Sequence, residues 1–350
     1  MTFSRVRHVV ERSALRGLTG LPGVVQRRVG RPVVRDTQTL ADDVRLMLAL
    51  QRLAREPAVE TLPVAQGRRE LNRQTALVAG DDQVAEEHDL RVGDLAARLY
   101  VPQACQGPGA HPLLLFFHGG GFVYGDLASH DAPCRLLAQE AGVRVLSVDY
   151  RLAPEHRFPA AHDDALAAYR WLLEHADEVG ADTARLAVGG DSAGGNLAAA
   201  TALAAAEEGL PLALQLLVYP GTDALRDTES LRLFGDGFYL TQGFIDLAAD
   251  AYYPQLSEEE RRDPRISPVY ADLAPAVAAR LAPVFLCTAG FDPLRDEGEA
   301  YARRLEEAGV AVELRRFEDQ IHGFLNMTGA VRSSRAAVVE VAHRLSAGLA

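Results

Sequence analysis

Arg185-Leu186-Ala187-Val188-Gly189-Gly190-Asp191-Ser192-Ala193-Gly194-Gly195-Asn196 runs from a short apolar strand pattern straight into the alanine-rich helical pattern of residues 196–206. A single serine stands where the chain changes direction. So sharp a turn crowds the backbone around it, and Gly190 and Gly194 relieve that crowding by carrying no side chain. The serine hydroxyl is thereby presented above the strand end, and the positive end of the following helix points at it. Gly-x-Ser-x-Gly alone also describes an ordinary tight turn; the strand before it and the helix after it read as an elbow that displays a nucleophile.

Outward from this point the chain alternates short β-type runs with longer helical patterns. Strands are expected at 97–101, 113–117, 143–148, 185–188, 214–219, 284–288 and 312–317, with helices near 130–141, 160–176, 193–208 and 297–308. This alternation predicts the α/β class, a mostly parallel central sheet flanked by helices. Residues 113–117 are apolar without a break, which implies burial on both faces. Two segments depart from the rhythm. Residues 1–75 read mainly as helices, the clearest over 39–55, where Leu40, Val44, Met47, Leu48 and Leu50 recur at helical spacing and need a host surface. Residues 221–268, rich in Gly, Asp and aromatics, are longer than a strand-helix-strand unit requires. We therefore expect a core domain over 76–350, carrying an insertion near 221–268, with the 1–75 segment as a helical cap.

The formal net charge is −12, and all 36 basic residues are arginine. An acidic surface repels phosphate backbones and anionic lipids, so no nucleic-acid partner is expected; no run approaches the length of a transmembrane helix, so no stable membrane insertion is expected either. Arginines do gather at the start (Arg5, Arg7, Arg12, Arg16, Arg27, Arg28, Arg31, Arg35), where a solvated, partly frayed amphipathic helix or a docking surface would account for them. The first residues lack an unbroken apolar stretch, because Arg16, Gly17, Gly20, Pro22 and Gly23 interrupt it, and a cytoplasmic location is the default expectation. Cys105, Cys134 and Cys287 form no disulfide framework and no pair with metal-site spacing. Cys287, inside an apolar run, reads as a buried inert thiol.

A serine hydroxyl is a weak nucleophile at neutral pH and requires a base. Only His322 and His343 follow Ser192. His343 lies in the helical pattern of 336–349 and reads as structural or solvent-facing. His322 follows the 312–317 strand in a loop at its carboxyl end, where open α/β sheets bind ligands. Asp292 follows the 284–288 strand through Ala289-Gly290-Phe291 and is the acid expected to orient that histidine. Its rivals are Asp296, which a helix cap explains, and Asp319, a sequence neighbour of His322. His118-Gly119-Gly120-Gly121-Phe122 follows the strand 113–117. Its glycines let backbone N–H groups approach a developing oxyanion, and Gly120, Gly121 and Ala193 are the expected donors. Phe122 reads equally as a pocket wall or as a core aromatic.

Taken together, these motifs resemble the hormone-sensitive-lipase-like carboxylesterases, the bacterial family IV esterases of the α/β-hydrolase fold. The resemblance covers roughly 90–345 and adds Asp149-Tyr150-Arg151-Leu152-Ala153-Pro154-Glu155, Phe158-Pro159-Ala160-Ala161, Asp292-Pro293-Leu294-Arg295-Asp296-Glu297-Gly298 and His322-Gly323-Phe324. Asp191 before the serine resembles the Gly-Asp-Ser-Ala-Gly branch. The resemblance implies a Ser192–Asp292–His322 triad and oxyanion donors at Gly120, Gly121 and Ala193. It also implies a lid built from the first helices and the 221–268 insertion, and hydrolysis of short to medium acyl esters without metal or cofactor. An amide or thioester hydrolase could use the same residues, and a non-catalytic receptor on this scaffold would be expected to have lost some of them. A homodimer is left open.

Overall fold

The computed structural model describes residues 3–28 and 30–350, with residues 3–9 as backbone alone. Helices α1 (Phe3–Thr19) and α2 (Gly23–Gln26), a short ribbon of β1 (Val34–Arg35) and β2 (Gln38–Thr39), and helices α3 (Asp42–Ala54) and α4 (Val64–Val78) come first. The central sheet is then laid down as β3 (Glu86–Val92), β4 (Leu95–Val101), β5 (His111–Phe117), α5 (Asp131–Ala141), β6 (Arg144–Asp149), α6 (Ala160–Glu174), β7 (Ala181–Asp191), α7 (Ala193–Glu208) and β8 (Leu214–Val218). Helices α8 (Glu229–Phe234), α9 (Gln242–Tyr252) and α10 (Pro275–Ala278) precede β9 (Val284–Phe291), α11 (Arg295–Glu307), β10 (Val312–Ile321) and α12 (Arg332–Gly348).

The eight-stranded sheet has the order β10-β9-β8-β7-β5-β6-β4-β3. Pairing is parallel from β10 through β6 and antiparallel at β6–β4 and β4–β3. All seven expected strands are present. The eighth, β3, escaped the sequence reading because Glu86, Glu87, His88 and Asp89 are all exposed, so this edge strand lacks the apolar alternation that marks a strand with one buried face.

Parallel strands must be covered on both sides, and β5 shows how. Leu113 to Phe117 have no exposed surface. Leu113, Leu115 and Phe117 join Leu172 of α6, Leu197 of α7 and Leu305 of α11 on one face. Leu114 and Phe116 join Leu137 of α5 and Val341 and Leu345 of α12 on the other. Cys287 is buried on that second face as a free thiol, and Cys105 and Cys134 are also free and buried.

The expected apolar stripe of α3 finds its host at the carboxyl edge of the sheet. Leu40, Val44, Met47 and Leu48 pack on Phe291 and Ile321, the last residues of β9 and β10, and on Phe234 of α8. Asp43 secures the same helix by accepting the Ser333 N–H (2.9 Å) and hydroxyl (2.6 Å). The helical leader is more firmly held than a frayed helix: Arg12 donates to Asp81 (2.6 Å) and to the Ala79 carbonyl (2.9 Å), and Arg16 reaches that carbonyl at 2.6 Å. Arg28, Arg31 and Arg35 stay exposed, whereas the side chains of Arg5 and Arg7 lie outside the described residues. Helix α4 carries the helical segment past residue 75, to Val78. Among the described residues, no helix is long and apolar enough to cross a membrane.

Truncating a β5 side chain opens a cavity with neighbours on all sides. Leu115→Ala is expected to destabilise the fold by about 2–5 kcal/mol in urea unfolding. Leu314→Ala, on the exposed edge strand β10 (Leu314 is 38% exposed), is expected to stay within about 0.5 kcal/mol of the parent.

Candidate active site

Ser192 sits between β7 and α7 with φ 56° and ψ −116°, a left-handed backbone that a non-glycine residue adopts only where its surroundings force it. What forces it is contact between backbones. A Cβ on Gly190 or Gly194 would run into the Phe117 carbonyl oxygen of the neighbouring strand β5. The two glycines let β5, β7 and α7 converge, and the serine is left on the outside of the bend.

His322 and Asp292 are brought together by strand register. Phe291 and Ile321 are partners at the ends of β9 and β10, so the residues that follow them, Asp292 and His322, emerge side by side. That pairing depends on a bulge: β10 spends residues 318–321 where β9 spends 290–291. Gly290 permits it, since a Cβ there would strike the Glu318 carbonyl. The result is a continuous relay. His322 Nδ1 lies 2.8 Å from Asp292 Oδ2, and His322 Nε2 lies 2.9 Å from Ser192 Oγ. Asp292 is wholly buried, and its second oxygen accepts the Leu294 N–H at 2.8 Å. The rivals lie elsewhere. Asp296 accepts the Ser230 N–H (2.8 Å), Asp319 is exposed at the sheet margin, and His343 is exposed on α12.

Gly120 (φ 122°) and Gly121 (φ 63°) follow β5 in conformations that favour glycine. Their N–H groups donate to no acceptor among the described residues. Ala193 opens α7, where the first N–H groups of a helix have no partner within it. Asp191 ties the two loops together: its Oδ1 accepts the Gly119 N–H at 2.8 Å and lies 3.2 Å from His130 Nε2. Burial alone would raise this carboxyl, but His130 and the Gly119 N–H outweigh it and hold it below the usual carboxylate range. Neither His130 nor its neighbour Asn326, whose Nδ2 lies 3.2 Å from His130 Nε2, carries a sequence signal, because each reaches the site through tertiary contact alone.

Two cavities meet at Ser192. The larger, about 370 Å³, holds His322, Gly120 and Asp191 and is roofed by Leu48 and Thr75 from the first helices and by Tyr239 from the insertion. The smaller, about 40 Å³, lies across Gly121 and Ala193 and is closed by Phe122, Phe244 and Ile245. Phe122 fills both of its expected roles, lining this cavity while it stacks on Tyr252 with ring centroids 4.3 Å apart. The two roof segments are linked by Thr241, which caps α9 by accepting the Phe244 N–H (3.0 Å) and donates to Glu60 (2.6 Å). Among the described residues, no cluster of His, Cys, Asp and Glu is arranged to hold a metal ion.

Two buried histidines behind the site make its integrity pH-dependent. His118 stacks on Tyr150 (centroids 4.2 Å apart), and His162 lies 2.9 Å from both the Asn196 Oδ1 and the Tyr252 hydroxyl. Burial lowers each imidazole to about 4, with nearby His130 adding to the effect on His118. The unfolded chain therefore takes up protons below about pH 6.5 that the folded chain refuses, so the stability these groups contribute is full above 6.5 and is lost as pH falls toward 4. His162→Gln is expected to lower the slope of unfolding free energy against pH, between pH 6 and 5, by up to about 1.4 kcal/mol per unit. Urea titrations at a series of pH values read this slope whatever the variant's absolute stability.

With this geometry in place, comparison with known proteins is specific. A family model described as the alpha/beta hydrolase fold matches residues 114–326. The carboxylic ester hydrolase LipN of Mycobacterium tuberculosis is 42% identical over 365 residues, covering 100% of this chain and 94% of its own. An ethyl acetate hydrolase of Pseudomonas putida is 40% identical over 320 residues, covering 87% and 97%. Among solved structures, an ester hydrolase from the metagenome of Lake Arreo superposes with a TM-score of 0.82 at 40% identity, covering 88% of this chain and 98% of that one. A hyperthermophilic esterase from Pyrobaculum calidifontis gives 0.81 at 34% identity, with the same coverage. A relay of serine, histidine and aspartate at the carboxyl end of a parallel sheet thus goes with relatives of this identity and extent, and the chain belongs to the α/β-hydrolase fold family, among the hormone-sensitive-lipase-like carboxylesterases.

Proposed function

We propose that this carboxylesterase cleaves esters of a short acyl group and a bulkier alcohol, with Ser192 as nucleophile, His322 as base and Asp292 as the residue that orients the imidazole. The observation that carries this reading is the relay from Asp292 through His322 to Ser192, at 2.8 and 2.9 Å. His322 takes the hydroxyl proton as Ser192 Oγ attacks the carbonyl carbon. The oxyanion formed is met by the N–H groups of Gly120, Gly121 and Ala193, an arrangement worth on the order of 10²–10³ in turnover per donor. His322 then returns the proton to the leaving alcohol, an acyl-enzyme remains, and water repeats the attack. Asp292, buried and already accepting the Leu294 N–H, keeps Nδ1 protonated so that Nε2 is free to act as the base.

The orientation of the substrate follows from where His322 stands. The leaving oxygen must come within reach of His322 Nε2, so the alcohol half occupies the larger cavity, which His322 lines. The acyl half turns the other way, into the smaller cavity beyond Gly121 and Ala193. On this reading the helices of residues 1–75 and the 221–268 insertion form one cap, joined through Thr241 and Glu60.

Initial rates on p-nitrophenyl esters are expected to peak at acyl chains of two to four carbons, about tenfold above the decanoate. Ser192→Ala is expected to lower kcat by a factor on the order of 10⁴–10⁶ with circular dichroism unchanged. Phe244→Ala, which enlarges the smaller cavity, is expected to move the optimum to longer acyl chains. Equal rates for Ser192→Ala and the parent would refute the assignment of the nucleophile.

A further inference from the structure

The smaller cavity is apolar on most of its wall, yet an arginine lines it. Arg226 is, among the described residues, the one charged side chain that lines it. Its backbone is left-handed (φ 44°), a conformation unfavourable for arginine, and it follows a turn in which Asp223 Oδ1 accepts the Leu225 N–H at 2.9 Å. Its three nitrogens are unequally engaged. Nη1 donates to the Tyr253 hydroxyl (3.3 Å), and Nε lies 3.5 Å from Glu297 Oε2. Nη2 lies over Gly221, where a Cβ would come within 3.5 Å of it, and donates to nothing among the described residues. Gly221 itself lines the cavity. Asn196, the side-chain amide on the wall, is fully used: its Nδ2 donates to the Gly221 and Ile266 carbonyls (2.9 and 2.8 Å), and its Oδ1 faces His162.

We propose that Arg226 is a specificity-determining residue that selects acyl groups bearing a hydroxyl or keto oxygen on C2 or C3, which Nη2 binds at the closed end of the acyl cavity. The inference rests on the assignment of the acyl half to this cavity. A space of about 40 Å³ admits roughly three non-hydrogen atoms beyond the carbonyl, which matches a lactyl group and leaves little room for a longer chain. A purely apolar acyl group of that size would leave the guanidinium nitrogen dehydrated and unpaired, a cost that an oxygen acceptor removes. A neutral acceptor fits better than a carboxylate, because Glu297 already neutralises Arg226 and a second buried anion would face the first. Burial raises Glu297 to about 7 against the pull of Arg226 and the Thr222 N–H, so the measurement belongs at pH 8, where the pair is ionised.

The test compares isosteric ethyl esters on the full-length enzyme: lactate with 2-methylpropanoate, and 3-hydroxypropanoate with butanoate, each rate divided by that ester's rate in dilute hydroxide. The expected result is a kcat/KM ratio of about ten or more in favour of the oxygenated ester in at least one pair. That ratio should fall to about one in Arg226→Met and in the charge-balanced double variant Arg226→Met/Glu297→Gln, which leaves no buried carboxylate unpaired. A ratio within about twofold of unity in both parental pairs overturns the inference while leaving the esterase reading intact, and this comparison needs no variant to fold. A ratio that survives in the double variant, or a stronger preference for the hydrogen succinate half-ester, overturns it as well. Failure of the parent to cleave any of the four esters overturns the placement of the acyl group and this inference together.

Discussion

Backbone contact between β5 and the β7–α7 bend is the constraint from which the rest of the site follows. Phe117 and Gly190 are partners in the ladder, and the Phe117 carbonyl fills the space that side chains at positions 190 and 194 would need. Because the strands run this close, the chain after β7 can only bend outward, which places Ser192 in its left-handed conformation and starts α7 at Ala193. The chain after β5 meets the same gap from the other side, and the Gly119 N–H is held there by Asp191. Ser192 and the glycine loop after β5 are therefore set on two exits from one packed junction.

The partners of the serine depend on a second registration, two strands away. Nothing in β9 or β10 alone brings Asp292 to His322; the bulge at 318–321 and the small residue at Gly290 that admits it do so together. Tyr219, whose ring centroid lies 4.6 Å from that of His322 and whose hydroxyl accepts the Leu325 N–H at 3.3 Å, supports the loop behind the imidazole. The relay is thus assembled from residues that directly follow strand ends, where the paired strands fix the direction in which each leaves the sheet.

How much of this was legible depended on whether a feature is local. The elbow, the glycine loop and the strand-following positions of Asp292 and His322 are local patterns with a stereochemical cause, and they could be read directly. The stripe of α3 was readable as a stripe, though its host, the ends of β9 and β10 together with Phe234, was not. β3 was hidden because its exposed charges mask the strand period. His130 was hidden because a histidine 61 positions before Asp191 in the chain gives no sign of lying 3.2 Å from it. Arg226 lay inside a segment recognisable only as an insertion, and the left-handed turn that aims it has no glycine to announce it.

The strand that was hardest to read also bears on how the molecule behaves in company. An open sheet ends in two rows of unpaired backbone groups that can template the strand of another molecule. Here one margin carries the exposed Glu86, Glu87, His88 and Asp89 of β3, and the other the exposed Glu313, Arg315, Glu318 and Asp319 of β10. A neighbouring chain that tried to extend the sheet would have to bring its own side chains against this charge on either flank. Both margins of the sheet are therefore bordered by charge, which blunts them as templates for a further strand.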